Sequence, residues 1–215
     1  MYRLLLPALI CLGLAGCGMA SYSFTAGFAN SGQPSPKAAR SQETGSVDPA
    51  TKRLAKADDK APKGTFEKAL PGALSDRDYG NTRLDAEKAR DLVNAYRKQN
   101  GLSPLKLQPA LTEAARAHSR DLAKWDRISH FGSDGSNPWD RVKRAGYNAK
   151  IAAENVGTGQ VSVEEVLKGW QASPGHNRNL LLADAEHMGI ALVQDTKTEF
   201  KTFWTLVIGS PLSGS

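Results

Sequence analysis

Cysteine is nearly absent from this chain of 215 residues. There are two, Cys11 and Cys17, both close to the N-terminus. A disulfide framework across the body of the chain is therefore excluded, and its stability must come from a packed core. Aromatic side chains are also sparse, at 7% against 40% hydrophobic residues in all. That composition suits the core of one domain and not a core along the full length. No long basic block accompanies the net charge of +6; lysines and acids alternate, as in Lys56-Ala57-Asp58-Asp59-Lys60. This pattern reads as a solvated surface and argues against a nucleic-acid partner. It still permits contact with acidic lipid headgroups or cell-wall polymers. There is no internal repeat, no Gly-x-Ser-x-Gly elbow and no His-Glu-x-x-His helix, so the common local signatures of a serine hydrolase or a zinc peptidase are missing.

The N-terminus is the first informative stretch. Arg3 precedes an apolar run from Leu4 to Gly16. The run is too short to span a bilayer comfortably and has the form of a signal peptide. It ends in Leu14-Ala15-Gly16-Cys17, which resembles a bacterial lipobox. That resemblance implies cleavage before Cys17 and lipidation of that cysteine, with enough acyl chains for stable anchoring. Residues 17–81 then read as the lipidated cysteine and a disordered tether rich in Gly, Ser, Pro, Ala, Lys and Asp. Order is expected over residues 82–210, with a short tail at 211–215. This arrangement places the domain outside the cytoplasm. Gly18 resembles the residue found in lipoproteins sent to an outer membrane, so a Gram-negative host would place the domain there, facing the periplasm.

Within the domain, four helices are expected. Ala89, Leu92, Val93 and Tyr96 form one apolar face, stopped by Asn100-Gly101. A second helix covers Pro109 to Trp125, with Leu111, Ala115, His118, Leu122 and Trp125 facing inward. Asn137-Pro138 opens a third, which ends near Gly146. Ser162 and Glu165 form a capping box for a fourth, which ends near Ala172. The period then changes. MGIALVQ and TFWTLVIG read as an antiparallel hairpin, and Ile151 to Val156 as a third strand. Helices packed on a small antiparallel sheet define an α+β class.

Four histidines and one glutamate are the chemical candidates. His118 lies on an apolar helix face, where a hydrogen-bonded core histidine is the default. His130 follows the second helix in Ser129-His130-Phe131-Gly132, a loop from which it can enter a cleft or remain on the surface. Glu154 lies within the small and apolar run Ala152-Ala153-Glu154-Asn155-Val156 and needs a partner if buried. His176 follows Ser173-Pro174-Gly175. Pro174 cannot continue a helix and Gly175 can turn left-handed, so the break is expected to aim His176 from a fixed corner. The alternative is that His176 only meets the helix C-terminus. His187 reads as a fringe residue at a strand start.

HSRDLA (118–123), SHFG (129–132), AENVG (153–157), WQASPGHNRNLL (170–181), HMGIAL (187–192) and FWTLVIG (203–209) occur in order. Together they resemble the CAP superfamily of cysteine-rich secretory, antigen 5 and pathogenesis-related proteins. They come nearest to its cysteine-poor bacterial SCP-domain branch. The resemblance implies an α-β-α sandwich with a central antiparallel sheet. It also implies a cleft holding two histidines and two glutamates, here His130, His176 and Glu154. Ser173 stands where the second glutamate is expected, so the tetrad is incomplete. Lipid, sterol or divalent-cation binding follows from the same resemblance. His130, Glu154 and His176 are the metal candidates, since two imidazoles and a carboxylate suit Zn²⁺. Three functions are open. The favoured one is a non-enzymatic binding module for a cation or a lipid-like ligand. The others are a peptidase-like hydrolase using the His/Glu cluster, and a structural envelope protein that contacts cell-wall polymer or a protein partner.

Overall fold

The computed structural model describes residues 66–212. The expected signal peptide, Cys17, the expected tether as far as residue 65, and residues 213–215 lie outside the described residues. Among the described residues, five helices surround one sheet. They are α1 (Ala86–Gln99), α2 (Pro109–Trp125), α3 (Pro138–Arg144), α4 (Val163–Ala172) and α5 (Pro174–Leu180). The strands are β1 (Lys106–Leu107), β2 (Ala149–Thr158), β3 (His187–Gln194) and β4 (Thr202–Pro211). Their spatial order is β1-β3-β4-β2. β4 pairs antiparallel with both β2 and β3, and the two-residue β1 runs parallel to β3.

The helix boundaries follow local chemistry. The Asp85 side chain accepts the Glu87 and Lys88 backbone N–H groups at the start of α1, which satisfies donors a helix otherwise leaves open. Gly101 closes that helix at φ 72°, where glycine has no steric penalty. Asn137 and Asp140 make a reciprocal capping box on α3, with Pro138 in the first turn. At α4 the box is half realised: Ser162 accepts the Glu165 N–H, while the Glu165 carboxylate accepts from Val161.

β4 is the spine. Its alternation sends Phe203 and Val207 to one face and Trp204, Leu206 and Ile208 to the other. On the first face Leu111, Ala115 and Leu122 of α2 cover the sheet, with Ala152, Val156 and Ala191 beneath them. On the second, Ala89 and Val93 of α1 and Val166 and Trp170 of α4 pack on Met188, Ile190, Trp204 and Leu206. The result is the expected α-β-α sandwich, extended by the short parallel β1. The outer edge of β2 is covered by side chains: Trp170 Nε1 donates to the Val156 carbonyl (3.1 Å) and Asn179 Nδ2 to that of Glu154 (3.1 Å).

Three boundaries differ from expectation. Residues 66–81 were placed in the tether, yet they lie on the domain. Glu67 and Ile128 exchange backbone hydrogen bonds at 3.0 and 2.9 Å. Leu74 is buried against Leu122, Val156 and Phe203. The Tyr79 hydroxyl donates to Gly159 O. Two well-placed anchors hold a segment that is otherwise polar. Next, Pro174 does not end in a left-handed corner. Gly175 is absent from the positive-φ glycines, and Pro174 opens a new helix, α5, straight after α4. Proline is well suited to that first position because its missing N–H is not needed there. Finally, β4 runs on into the predicted tail: Pro211 faces Ala149, and the Leu212 N–H donates to Asn148 O.

Gly189 on β3 allows α2 to approach the sheet. A Cβ at that position would fall on the backbone of Leu111 and Thr112. Backbone atoms cannot rotate aside, so Gly189→Ala is expected to destabilise the domain by about 3 kcal/mol. Urea denaturation midpoints of the variant and wild type would measure the loss; an unchanged midpoint would refute the close approach.

Candidate functional site

The alternation of β2 turns Glu154 toward α2, on the same face as Ala152 and Val156. His118 projects from the inner face of α2, His130 turns in from the loop that follows, and Arg141 reaches across from α3. All four are buried: Glu154 is 3% exposed, His130 1%, His118 0% and Arg141 6%. His130 Nδ1 donates to Glu154 Oε1 at 2.9 Å. Arg141 Nη2 donates to Glu154 Oε2 at 2.7 Å, a charge-assisted bond. His118 Nε2 lies 2.8 Å from the Ser129 carbonyl and 3.6 Å from Glu154 Oε1. Both of those oxygens only accept, so this nitrogen carries the proton. Arg141 also holds the loop itself, donating to His130 O at 2.9 Å and Ser136 O at 2.8 Å.

These contacts set the charge states. Burial pushes the Glu154 carboxyl up, but the Arg141 guanidinium, with His118 and His130, outweighs it and holds the group well below the usual carboxylate range. Burial lowers His118 to about 4, more than the nearby Glu154 charge can offset. At neutral pH the centre therefore holds an ionised Glu154 beside Arg141, with His118 neutral.

The structure joins His130 and Glu154 directly, as expected. His176 lies buried in the first turn of α5. Its carbonyl accepts from Asn155 Nδ2 at 3.1 Å, and Asn179 Nδ2 bonds Asn155 Oδ1 at 2.9 Å. Asn155 alternates with Glu154 along β2, so these amides fix α5 against the other side of the strand. Ser173, standing where the second glutamate was expected, forms the extended joint between α4 and α5. His187 meets the Tyr147 hydroxyl at 2.8 Å on the fringe. Sequence reasoning did not single out Arg141 or Asn179, and it read His118 as core. A buried carboxylate demands a counter-charge, which is a signal for some arginine. Arg127, Arg141 and Arg144 all stood near enough in sequence to supply it.

The donor set does not fit zinc. Both Glu154 oxygens are engaged, and a guanidinium beside the carboxylate repels a second cation. Among the described residues, no group of three or more His, Cys, Asp and Glu side chains is placed to hold a metal ion. Beside the buried centre lies a cleft of about 400 Å³. His118 and Arg141 form part of its lining, with Ala114, Ala117, Asp121 and Asp134 among the others.

A three-layer α-β-α domain with this buried His/Glu centre under one face defines an SCP-type fold. Residues 90–208, more than half of the chain, match the cysteine-rich secretory protein family (CAP), and the chain belongs to it. It is 33% identical over 158 residues to YkwD of Bacillus subtilis (strain 168), covering 74% of this chain and 55% of that protein. It is 29% identical over 123 residues to the membrane protein YlbC of the same organism, covering 57% of this chain and 36% of YlbC. The chain thus spans about half the length of YkwD, and less of YlbC. Among solved structures, an extracellular SCP-domain protein from Bacillus anthracis superposes with a TM-score of 0.51 at 23% identity, covering 66% of this chain and 44% of that one. An outer surface protein from Borrelia burgdorferi gives 0.53 at 19% identity, covering 61% and 99%. At these identities the structural likeness establishes the fold.

Removing one partner from a buried ion pair strands the other. Arg141→Leu and Glu154→Leu are each expected to cost about 3–5 kcal/mol, and the double variant less than the sum by about 2 kcal/mol or more. Chemical denaturation of the three variants measures this, and additive losses would show the pair to be uncoupled. The centre also dictates acid sensitivity. Between about pH 4 and pH 6.5 an unfolded His118 binds a proton that the folded one refuses, so stability rises with pH through that window and is fully present above it. Below that window Glu154 adds a loss of the same sign, because its folded carboxyl stays ionised while the unfolded one protonates. Denaturation midpoints should fall from about pH 7 to about pH 4.5 in the wild type and fall less in His118→Gln.

Proposed function

We propose that this chain is an exported, membrane-anchored CAP-domain protein that acts as a non-enzymatic binding module. The observation that carries the reading is the state of Glu154. A general base needs a free carboxylate oxygen and an affinity for protons near the working pH. Glu154 is buried, has both oxygens bonded, and is held ionised beside Arg141. A His/Glu centre of this kind holds a loop in place beside a cleft. Glu154 itself is not available as a general base, so the hydrolase reading that uses its carboxylate in that role falls behind. Lipid-like molecules and cell-wall polymer remain the ligand classes that the family and the charge balance suggest.

The anchor is the lipobox-like Leu14-Ala15-Gly16-Cys17. Several relatives support an extracytoplasmic setting through their descriptions, as extracellular, outer-surface or membrane proteins. In a Gram-negative host, Gly18 after the acylated cysteine directs the protein to the outer membrane, facing the periplasm.

Two measurements test these statements. Cells fed labelled palmitate should label the wild-type protein and not Cys17→Ser, and the variant should leave the membrane fraction. Label retained on the variant would place the anchor elsewhere. In a panel of peptide, ester and glycoside substrates the purified protein should show no turnover above background. Turnover that vanishes in a still-folded Glu154→Gln variant would replace the binding module with a hydrolase.

A further inference from the structure

Among the described residues, large apolar side chains stand well exposed at Phe66, Leu70 and Leu212. Two of these lie within Phe66-Glu67-Lys68-Ala69-Leu70, where the domain meets the segment leading back to Cys17. Glu67 and Ile128 form an antiparallel bridge, so side chains alternate about that point. Ala69 packs against the core cluster of Leu122, Ile128 and Phe203. Phe66, Lys68 and Leu70 therefore turn the other way. The exposures agree: Leu70 is 69% exposed, Phe66 38%, and Lys68 is exposed as well. The Arg127 guanidinium, beside Ile128 on the facing chain, backs the Phe66 ring at 5.6 Å from its centre. The face is fixed in advance. The Gly72 N–H donates to Glu199 at 2.8 Å, Leu74 is buried in the core, and Arg77 pairs with Glu165. A partner meeting this face therefore has little ordering left to impose.

Size, charge and position narrow what covers it. Two large side chains and a lysine stem fall well short of the roughly 800 Å² per partner that a specific protein interface buries. That disfavours a second copy. Glu67 and Lys68 cancel, so the stretch has no net charge with which to select an anionic polymer. Phenylalanine and leucine flanking a lysine suit the boundary of a bilayer. The apolar side chains enter the edge of the acyl region while the lysine reaches back to the headgroups. Position adds to this. Residues 18–65 separate Cys17 from Phe66, and even fully extended they reach only about 170 Å. A domain confined to that distance from a membrane meets it at a local concentration of roughly 0.1 mM or more. A seat too weak to hold a free protein is occupied under that confinement.

We propose that Phe66, Lys68 and Leu70 form a seat on a lipid surface, by which the anchored domain lies against its own membrane. The proposal rests on the Cys17 anchor and gives the anchored domain an orientation. Arg127, beneath the seat, also donates to Phe131 O at 3.4 Å, and the next residue, Gly132, lines the cleft. Seating the strap therefore fixes the direction in which the cleft opens.

The test uses the full chain, matured and reconstituted through its lipidated Cys17 into phosphatidylcholine vesicles. These lipids carry no net charge, so the chain's charge of +6 cannot draw it down. Lys68→Cys supplies a thiol for a nitrobenzoxadiazole dye, since Cys11 and Cys17 are the other cysteines of the chain. Lipid spin-labelled near the headgroup should quench the dye at 68. It should leave the dye bright in Gln99→Cys, an exposed site at the end of α1. Leu70→Ser should leave the melting temperature unchanged and lower the seated-to-free ratio about tenfold or more. A chain that floats with the vesicles and shows no quenching at 68 overturns the seat and leaves the anchor intact. Equal quenching at 68 and 99, or quenching that Leu70→Ser does not reduce, also overturns it, because nothing then singles out this face. Disulfide-linked pairs of unlabelled Lys68→Cys, without quenching, would overturn it in favour of a second copy. A chain that fails to float removes the anchor, and the seat with it.

Discussion

The bond between Arg141 and Glu154 is the constraint on which the rest of the site depends. A carboxylate inside a packed domain is expensive unless it is neutralised and hydrogen-bonded. Here a short helix, α3, exists in the right place to bring a guanidinium to a strand residue. The same guanidinium holds two carbonyls of the intervening loop, at His130 and Ser136. One side chain therefore ties three elements together. Such a pair adds little net stability relative to an apolar replacement, since desolvation consumes most of the attraction. Its effect is on arrangement: alternative packings of the loop would leave a bare charge inside the protein.

The periodic parts of the fold were legible in the sequence. α2 runs from Pro109 to Trp125 as its apolar spacing indicates, and the β3–β4 hairpin follows from two β-branched, aromatic-rich runs. Elements set by few residues were not legible. β1 has two residues and exists because α1 and α2 deliver it to the edge of β3. The strap at 66–81 is polar on average and is held by Leu74 and Tyr79. Pro174 illustrates a different limit. A proline that stops one helix is equally suited to start the next, and only the packing of α5 on β2 selects the second outcome.

The site was half legible. His130 and Glu154 meet as expected because loop and strand are fixed by the fold. His118 was assigned to the core, and it is fully buried; what the spacing could not reveal is that its neighbour is a carboxylate. Arg141 was hidden because three arginines lie close in sequence and the choice among them depends on the angle of α3. The family likeness pointed to His176 as a partner of Glu154, and the structure connects the two regions through Asn155 and Asn179 across β2. A centre stabilised by arginine and amides, in a domain with no cysteine, performs by hydrogen bonding the fixation of loops that crosslinks can perform elsewhere.

The two side chains lying along β2 also determine how this protein can meet others. A sheet edge normally offers a row of main-chain groups onto which a foreign strand can zip. Here the successive carbonyls of Glu154 and Val156 are already taken by the amide of Asn179 and the indole of Trp170. Along this margin the domain is closed to sheet extension, whether by a second copy of itself or by an extended peptide. Where copies of this domain crowd together, that closure keeps neighbours from joining edge to edge at β2. Any association through this side must be made by side chains and shape.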